Sequence, residues 1–192
     1  AAGREIFAPD TFPEIYRFRE EYAKKWGLNL IVGKNEDQVA RDMGPGKGSK
    51  LDCCNELKTN ALKQVIAKEG FQAILLGIRR DEHGIRAKER VFSPRDENFS
   101  WNYKDQHAEL WEQYRTNAAE DNHVRVHPIL HMTELHIWQY VQRENIPIVE
   151  LSLRKAGKRF RSIGCLPCCS SVESGASNVD DIVRELETTH TS

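Results

Sequence analysis

The chain has 192 residues, of which 39% are hydrophobic and 30% are charged, a balance typical of one soluble globular domain with its own core. Its formal net charge of −1 gives no whole-chain argument for nucleic-acid or membrane binding, and no apolar run approaches the roughly 18 residues that span a bilayer. The opening residues, AAGREIF, lack the apolar core of a signal peptide, so a cytoplasmic location with reduced cysteines is the expectation.

The first half of the chain predicts alternating strands and helices. A short strand at 5–7 precedes a helix in PEIYRFREEYAKKWG, which begins near Pro13, ends before Gly27 and carries one apolar face. A compact strand at 28–32 is followed by a helix over 54–69. The next strand, FQAILLG at 71–77, is continuous enough in apolar residues to be buried on both faces of a sheet.

The second half continues the same alternation. Residues 93–123 are polar and predict a long, partly helical insertion. A strand at 124–130 leads into a helix with Thr133 as N-cap, and a short helix at 179–187 follows Asn178. This order predicts a single α/β domain over residues 1–192, with a parallel twisted sheet, helices on both faces and a ligand site at the carboxyl ends of the strands.

A basic stretch follows the apolar strand that ends at Gly77. In GIRRDEHGIRAKERVFS, basic and acidic side chains alternate, and His83 lies among them. A glycine at a strand end lets backbone N–H groups approach an anion, and arginine forks match phosphate oxygens. A solvated loop of self-neutralising charges is the alternative. The charged residues are Arg79, Arg80, Asp81, Glu82, Arg86, Lys88, Glu89 and Arg90.

This stretch resembles the signature of the small, catalytic subunit of sulfate adenylyltransferase, in the adenine-nucleotide alpha-hydrolase fold that also contains the APS and PAPS reductases. Further blocks are similar to that family in the same order: DTFPEIYRFREEYAKKWGLNLIV, ELKTNALKQVIAKEGFQAILLG, VRVHPILHMTELHIWQYVQRENIPIVELS, and RSIGCLPC with VESGAS. The resemblance implies a Rossmann-like nucleotide-binding α/β domain and covers nearly the whole chain.

The resemblance implies an enzyme that transfers the adenylyl group of ATP, bound with Mg²⁺, to sulfate. It further implies a GTPase large subunit as partner and leaves a homo-oligomer open. The residues expected to hold phosphate or sulfate oxygens are Arg79, Arg80, Arg86 and Lys88, with Asp81 and Glu82 orienting them; Asp10, Thr11 and Gly77 are further candidate nucleotide-binding positions.

Two features depart from the family pattern. The Ser-Gly-Gly-Lys-Asp-Ser type phosphate loop is absent and would lie upstream of Ala1, and the Ser-Glu-Arg that the family has near the end of this sequence is absent too. A chain truncated at both ends is therefore the expectation. Where the family commonly has Asp-Thr-Gly and an aromatic residue, this chain reads DTFPE at 10–14. The glycine-rich stretch GPGKGSK at 44–50 does not replace the phosphate loop, because it does not connect a strand to a helix, and a linker is the expectation.

All five cysteines lie in two clusters. Cys165 and Cys168 have the C-x-x-C spacing that lets two thiolates reach one metal, and Cys53 and Cys54 form an adjacent pair near a predicted helix start. The combination is similar to the [4Fe–4S] motif of the APS reductases, which implies a cluster bound by all four; zinc and buried apolar cysteines are the alternatives. Cys169 is predicted to be structural, with a role as an alternative metal ligand left open. No metal site is predicted at the histidines around 127–136.

Two other functions remain open at the level of sequence. A reductase of APS or PAPS, or an ATP-dependent sulfur-transfer enzyme that uses an iron–sulfur cluster, would keep the nucleotide site and change the chemistry. A non-catalytic nucleotide-binding or redox-sensing module is the third reading. No cysteine follows Cys169, so the catalytic tail cysteine of the reductases is absent from this sequence. That absence favours adenylyl transfer.

Overall fold

A computed structural model describes residues 11–37, 40, 42–44, 47–104, 106–111, 113–114 and 123–189. The chain divides into two compact units, of which one comprises 1–69 with 147–181 and the other 70–146 with 182–192. The strand predicted at 5–7 and the candidate residue Asp10 lie outside the described residues. Within the described part of the chain, no helix is long and apolar enough to cross a membrane.

The first unit begins with the predicted helix α1 (Pro13–Lys25). Pro13 occupies its first turn, where the missing N–H costs nothing, and Gly27 takes a positive φ of 61° just beyond its end. The apolar face forms as predicted: the rings of Phe18 and Tyr22 lie 4.4 Å apart and those of Tyr22 and Trp26 5.1 Å apart. This face lines an open apolar groove together with residues 147–149.

The helix predicted at 54–69 is longer in the structure than in the prediction, and its helix type changes along its length. It consists of α2 (Lys50–Cys54), a π-helical segment (Asn55–Asn60) and α3 (Ala61–Glu69). Ser49 caps its N-terminus, since the Ser49 hydroxyl accepts a hydrogen bond from the Asp52 N–H at 3.1 Å. Ala61, Val65 and Ile66 are buried, as the apolar spacing predicts. The π-helical segment starts directly after the cysteine pair, and such segments often mark functional sites.

The strand predicted at 28–32 is wrong: residues 28–32 form no ladder with any described strand. β-Branched and apolar residues favour a strand only when a neighbouring strand supplies hydrogen-bond partners. The strands of this unit, β4 (Lys158–Arg159) and β5 (Val172–Glu173), are short and antiparallel. Between them, residues Leu166–Cys168 form a 3₁₀ turn in the C-x-x-C segment.

Gly33 lies against α3 so closely that a larger residue would clash. A Cβ at this position would lie 2.3 Å from Cγ2 of Val65, a stiff β-branched side chain. Gly33→Ala is expected to lower the free energy of unfolding by about 1–3 kcal/mol, as overpacking does. Urea denaturation measures the change, and Gly175→Ala, where nothing lies within 4 Å, is the matched control.

A double-mutant cycle isolates this contact. Val65→Ala removes the clashing methyl, so adding Gly33→Ala to Val65→Ala is expected to cost much less than Gly33→Ala alone. A Gly33→Ala cost that is equally large in both backgrounds would contradict this packing.

The second unit contains a mixed three-stranded sheet in the order β1 (Ala73–Leu75), β3 (His123–Val126), β2 (Phe92–Arg95). β1 and β3 are parallel and β2 is antiparallel to β3, so the α/β class is confirmed while the sheet also contains an antiparallel pair. The prediction that the strand at 71–77 is buried on both faces is wrong, because in β1 Ala73 is exposed and Leu75 is 72% exposed. Among the described strands β1 is an edge strand with β3 as its neighbour.

The predicted polar insertion at 93–123 begins inside β2, and its described residues contain no helix. Pro94 is tolerated in β2 because this strand lies at the sheet edge. The strand predicted at 124–130 is shorter and ends at Val126, before the turn at Pro128.

The two helices predicted near the end of the chain are present. In α4 (Glu134–Glu144) the Thr133 hydroxyl accepts from the His136 N–H at 3.3 Å, and His136 Nδ1 accepts from the Thr133 N–H at 3.2 Å. α5 (Val179–Thr188) follows Asn178, whose side-chain oxygen accepts from the Asp181 N–H at 2.9 Å. Both helices therefore begin at the predicted capping residues.

Candidate active site

The arginine-rich loop lies where the carboxyl ends of β1 and β3 meet. After β1 ends, the Leu76 N–H donates to the Val126 carbonyl at 2.9 Å, and the Arg80 N–H donates to the Leu130 carbonyl at 3.0 Å. Two 3₁₀ turns, Arg80–Glu82 and Arg86–Lys88, shape the loop. The basic side chains are thus at the sheet edge where ligands of parallel α/β folds bind.

The carboxylates of the loop hold two of its arginines in place. Arg79 Nε donates to Asp81 Oδ1 at 2.8 Å, and its Nη1 lies 3.3 Å from Glu82 Oε1. Glu82 also pairs with Arg86. The second carboxylate oxygen of Asp81 accepts from the Glu134 N–H at 3.0 Å, which ties the loop to the start of α4. The acidic residues therefore fix the loop and orient Arg79 and Arg86.

Arg80 and Lys88 have fewer polar contacts. The closest described contact of the Arg80 guanidinium is Nη2 to the Glu89 carbonyl at 3.5 Å, at the limit of a hydrogen bond. The Lys88 ammonium lies 4.6 Å from the centre of the Tyr103 ring, within cation–π range. Both residues are exposed. Arg80 is consequently the loop arginine best able to accept an external anion.

The other candidate nucleotide-binding residues have different surroundings. A Cβ on Gly77 would meet Ile129 at 3.7 Å, an ordinary contact, so packing does not require glycine there. Thr11 belongs to the first unit, where its hydroxyl donates to the Gly164 carbonyl at 2.9 Å and the residue forms a β-bridge with Cys165. Thr11 thereby anchors the C-x-x-C turn. His83 Nδ1 accepts from the Ile85 N–H at 3.2 Å.

Beneath the loop, one face of the β2–β3 ladder carries buried charges that the sequence analysis missed. Arg95 Nη2 donates to Glu89 Oε1 at 2.9 Å, and both side chains are under one tenth exposed. His123 and His127 are fully buried, and Arg125 lies between them in sequence. The period-two pattern H-V-R-V-H at 123–127 was the available signal, because alternate residues of a strand share a face.

Burial dominates the electrostatics of this face. Burial lowers the pKa of His123 to about 4, and repulsion from Arg125 and Arg95 adds to this decrease. Burial also lowers the pKa of Arg95 to about 10, although the negative charge of Glu89 acts in the opposite direction. Burial likewise lowers the pKa of Arg125, although Glu89 opposes the change. Both histidines are therefore neutral near pH 7, and the two arginines remain charged.

The first unit brings the two cysteine clusters into electrostatic contact. The pKa of Cys53 is raised by burial and then by the thiolates of Cys54, Cys165 and Cys168. Lys58 lies within the same group of side chains. Burial acts to lower the pKa of Lys58, but the net change is an increase, because its ammonium hydrogen-bonds Cys165 and is attracted by the thiolates of Cys54 and Cys168. Its position four residues after Cys54, one helical turn on, was the sequence signal for it.

The geometry of the cysteine group is not that of a closed metal site. Among residues 11–189 outside the gaps in the description, no three His, Cys, Asp or Glu side chains are arranged to hold a metal ion. Cys169 Sγ accepts from the Gly164 N–H at 2.8 Å and so stabilises its own turn. The four remaining thiols are soft donors, and soft donors suit an iron–sulfur or zinc centre. In donor chemistry, these residues therefore fit such a centre.

Comparison with known proteins identifies the family. The phosphoadenosine phosphosulfate reductase domain model matches residues 7–171. The chain belongs to this family. Relatives named sulfate adenylyltransferase subunit 2 include one from Ectopseudomonas mendocina, 38% identical over 94% of this chain and 70% of its own length, and one from Bacteroides thetaiotaomicron, 40% identical over 93% and 68%. These relatives confirm the prediction of a nucleotidyltransferase similar to sulfate adenylyltransferase.

Solved structures of the same fold support the α/β class. The Candida glabrata FMN adenylyltransferase in complex with FMN and an ATP analogue has a TM-score of 0.56, with 20% identity over 85% of this chain and 41% of its own. The phosphoadenylyl-sulfate reductase of Candida auris has a TM-score of 0.54, with 15% identity over 88% and 72%. At these identities the likeness establishes the fold alone.

Proposed function

We propose that this chain binds ATP at the carboxyl edge of β1 and β3 and transfers its adenylyl group to sulfate. The observation that carries the proposal is the loop at 78–90, in which two arginines are fixed by acidic neighbours and Arg80 remains available. A set of cations ordered before the ligand arrives suits phosphate binding, because little side-chain freedom is lost on binding. The relatives named sulfate adenylyltransferase subunit 2 support the same reaction.

In the proposed reaction a sulfate oxygen attacks the α-phosphorus of ATP. A P–O bond to sulfate forms, the bond between the α-phosphorus and the bridging β-oxygen breaks, and pyrophosphate leaves. Little covalent chemistry falls to the protein, which positions the two anions and neutralises their charge. Arg79, Arg80, Arg86 and Lys88 supply that charge. Because Asp81 and Glu82 already pair with arginines, Mg²⁺ arrives on the nucleotide in this proposal.

The name subunit 2 on the relatives indicates an enzyme of more than one kind of chain. A GTPase large subunit is our proposed partner, since formation of adenylyl sulfate is unfavourable and GTP hydrolysis can drive it. We place the reaction in the cytoplasm, where ATP and GTP are available.

A reductase of adenylyl sulfate is the second candidate. The cluster of cysteines around Cys53 and Cys165 favours the reductase assignment, and so does the name of the family model, which is that of a reductase domain. Adenylyl transfer ranks first because the most similar relatives reported above bear that name.

We also propose that Cys53, Cys54, Cys165 and Cys168 hold one metal centre, an iron–sulfur cluster of the [4Fe–4S] kind, with zinc as the alternative. The mutual effect of these thiolates on the pKa of Cys53 supports their convergence. Adjacent cysteines on a helix project in different directions, which a cluster tolerates better than one small ion. The centre would link the middle of the chain to its C-terminal segment, and no step of adenylyl transfer depends on it.

Pyrophosphate release distinguishes the two candidate reactions. The full-length protein, purified with its natural partner and supplied with GTP, is expected to release pyrophosphate from ATP when sulfate is present and not when sulfate is omitted. A coupled pyrophosphatase assay records the product and removes it, which overcomes the unfavourable equilibrium. Thiol-dependent release of sulfite from adenylyl sulfate, without any sulfate-dependent pyrophosphate, would reverse the assignment.

A further inference from the structure

The buried polar face of the β2–β3 ladder has more charge than its own residues neutralise. Strand register places Ser93 opposite Arg125 and Arg95 opposite His123, so these four side chains share one face. Within the part of the chain that the structure describes, Glu89 is the one carboxylate beside them. Arg95 occupies its Oε1, and its Oε2 is buried without a hydrogen-bond partner, 4.0 Å from His127 Nδ1. With neutral histidines, the described residues of this face therefore comprise two guanidinium groups and one carboxylate, an excess of one positive charge among them.

Arg95 is well satisfied, and Arg125 is not. The Nη1 of Arg95 donates to the Ser93 hydroxyl at 2.7 Å and to the Pro94 carbonyl at 3.0 Å, besides the Glu89 pair. Arg125 has no recorded hydrogen bond among the described residues, and its Nε is buried without a partner. Arg125 as a whole is only partly buried, but its buried Nε lacks an acceptor, so a group that accepts from it is expected beside Arg125 rather than Arg95.

The histidines add unsatisfied ring nitrogens to the same place. Both nitrogens of His123 are buried without a described partner. His127 Nδ1 lies 2.7 Å from the Arg90 carbonyl, which can only accept, so Nδ1 carries the proton and Nε2 is a bare acceptor in the neutral ring. Nε2 is also buried and unpartnered. Buried polar atoms normally have a hydrogen-bond partner, so nitrogens without one in the described chain point to a group bound beside them.

We propose that Arg125, His123 and His127 form an internal site for a tetrahedral oxyanion, with inorganic sulfate and phosphate as the ligand class. Arg125 supplies the charge, and His123 donates from a ring nitrogen. The site goes beyond the proposed nucleotide site, because it uses the ladder face and not the side chains of Arg79, Arg80 and Arg86. It can therefore be tested separately.

Binding at this site takes up protons. An anion beside Arg125 offsets the repulsion that disfavours protonated His123, and His127 Nε2 can donate to an anion only after it gains a proton. The polar and titratable groups that face the proposed anion site come from two segments. Glu89, Ser93 and Arg95 belong to β2 and the residues before it, and His123, Arg125 and His127 belong to β3 and its end. Glu89 opposes the anion, and its pairing with Arg95 limits that opposition. Affinity is accordingly expected to rise as the pH falls below about 6, towards the pKa of about 4 that His123 has without the anion.

Histidine NMR of the full-length protein tests the site. Sodium sulfate is titrated against sodium chloride at constant ionic strength, and the ring signals of His123 are followed across pH. Sulfate is expected to raise the titration midpoint of His123 by about one pH unit or more, since one unit corresponds to a tenfold preference for the charged ring. Phosphate should act similarly, and AMP should not, because a nucleoside is much larger than a free oxyanion and the rings of His123 and His127 are fully buried.

Matched variants assign the response to the ladder face. Arg125→Gln is expected to abolish the sulfate response, and Arg125→Lys, which keeps the charge, to weaken it without loss of the fold. Arg143→Gln on α4, with a side chain 69% exposed, and the loop pair Arg80→Ala with Arg86→Ala should leave it unchanged. A His123 midpoint indifferent to sulfate and phosphate, a response to AMP alone, or an equal response in folded Arg125→Lys would overturn the proposal.

Discussion

Glu89→Ala is expected to lower the free energy of unfolding by about 3–5 kcal/mol, the range for removing one partner of a buried ion pair. Glu89 and Arg95 are 7% and 3% exposed, and they meet at 2.9 Å. Without the carboxylate, Arg95 keeps its bonds to Ser93 and Pro94 but loses its counter-charge, and a buried positive charge is left uncompensated.

Urea denaturation of the full-length protein measures this loss. Glu97→Ala removes an exposed carboxylate from the loop after β2 and is the matched control, expected to change stability by less than about 0.5 kcal/mol. The double variant Glu89→Ala with Arg95→Met should recover much of the loss, because the buried charge of Arg95 is removed together with its counter-charge and the net charge of the face is unchanged. A loss below about 1 kcal/mol for Glu89→Ala would contradict the burial of this pair.

Cys165→Ser is expected to remove most of the bound metal from protein purified without oxygen. The Cys165 thiol hydrogen-bonds Lys58 and, like Cys54 and Cys168, raises the pKa of Cys53, so it belongs to the group. Serine oxygen is a poor ligand for the soft metals that four sulfurs select. Iron, acid-labile sulfide and zinc are measured per chain, together with the visible absorption of a cluster.

Cys169→Ser is the control for the same experiment. Its sulfur accepts from Gly164 at 2.8 Å, a role that a hydroxyl can take over, so metal content should stay close to that of the parent protein. Parent protein that contains neither iron nor zinc after anaerobic purification would end the metal proposal. Such a result would leave the adenylyl-transfer assignment standing.

Local signals in the sequence were sufficient for three of the helices. Pro13 lies in the first turn of α1, Thr133 and Asn178 cap α4 and α5, and the boundaries of these helices fall within one or two residues of the predicted ones. The helix predicted at 54–69 begins earlier, at Lys50. Capping depends on a few adjacent residues, so a single sequence contains the whole signal.

Strands were harder to predict because their partners are distant in sequence. The apolar run at 28–32 forms no described ladder, and β1 is exposed at Leu75 despite its composition. The candidate arginine loop was located from its place after a strand, but the buried pair of Glu89 and Arg95 was not. Glu89 lies before β2 and Arg95 lies within it, so their pairing depends on how the segment between them folds, which charge patterning does not reveal.

The central claim, that the loop after β1 binds the phosphates of ATP, is tested most directly by mapping arginine reactivity. Phenylglyoxal modifies accessible arginines, and peptide mass spectrometry of the full-length protein gives the rate at each one. Arg80, which is exposed and weakly bonded, is expected to react readily and to be protected at least tenfold by saturating ATP with Mg²⁺, whereas Arg143 reacts equally with and without ATP. Adenosine, which lacks phosphates, should give no protection. Equal modification of Arg80 with and without ATP, in protein shown to bind ATP, would contradict the placement of the nucleotide.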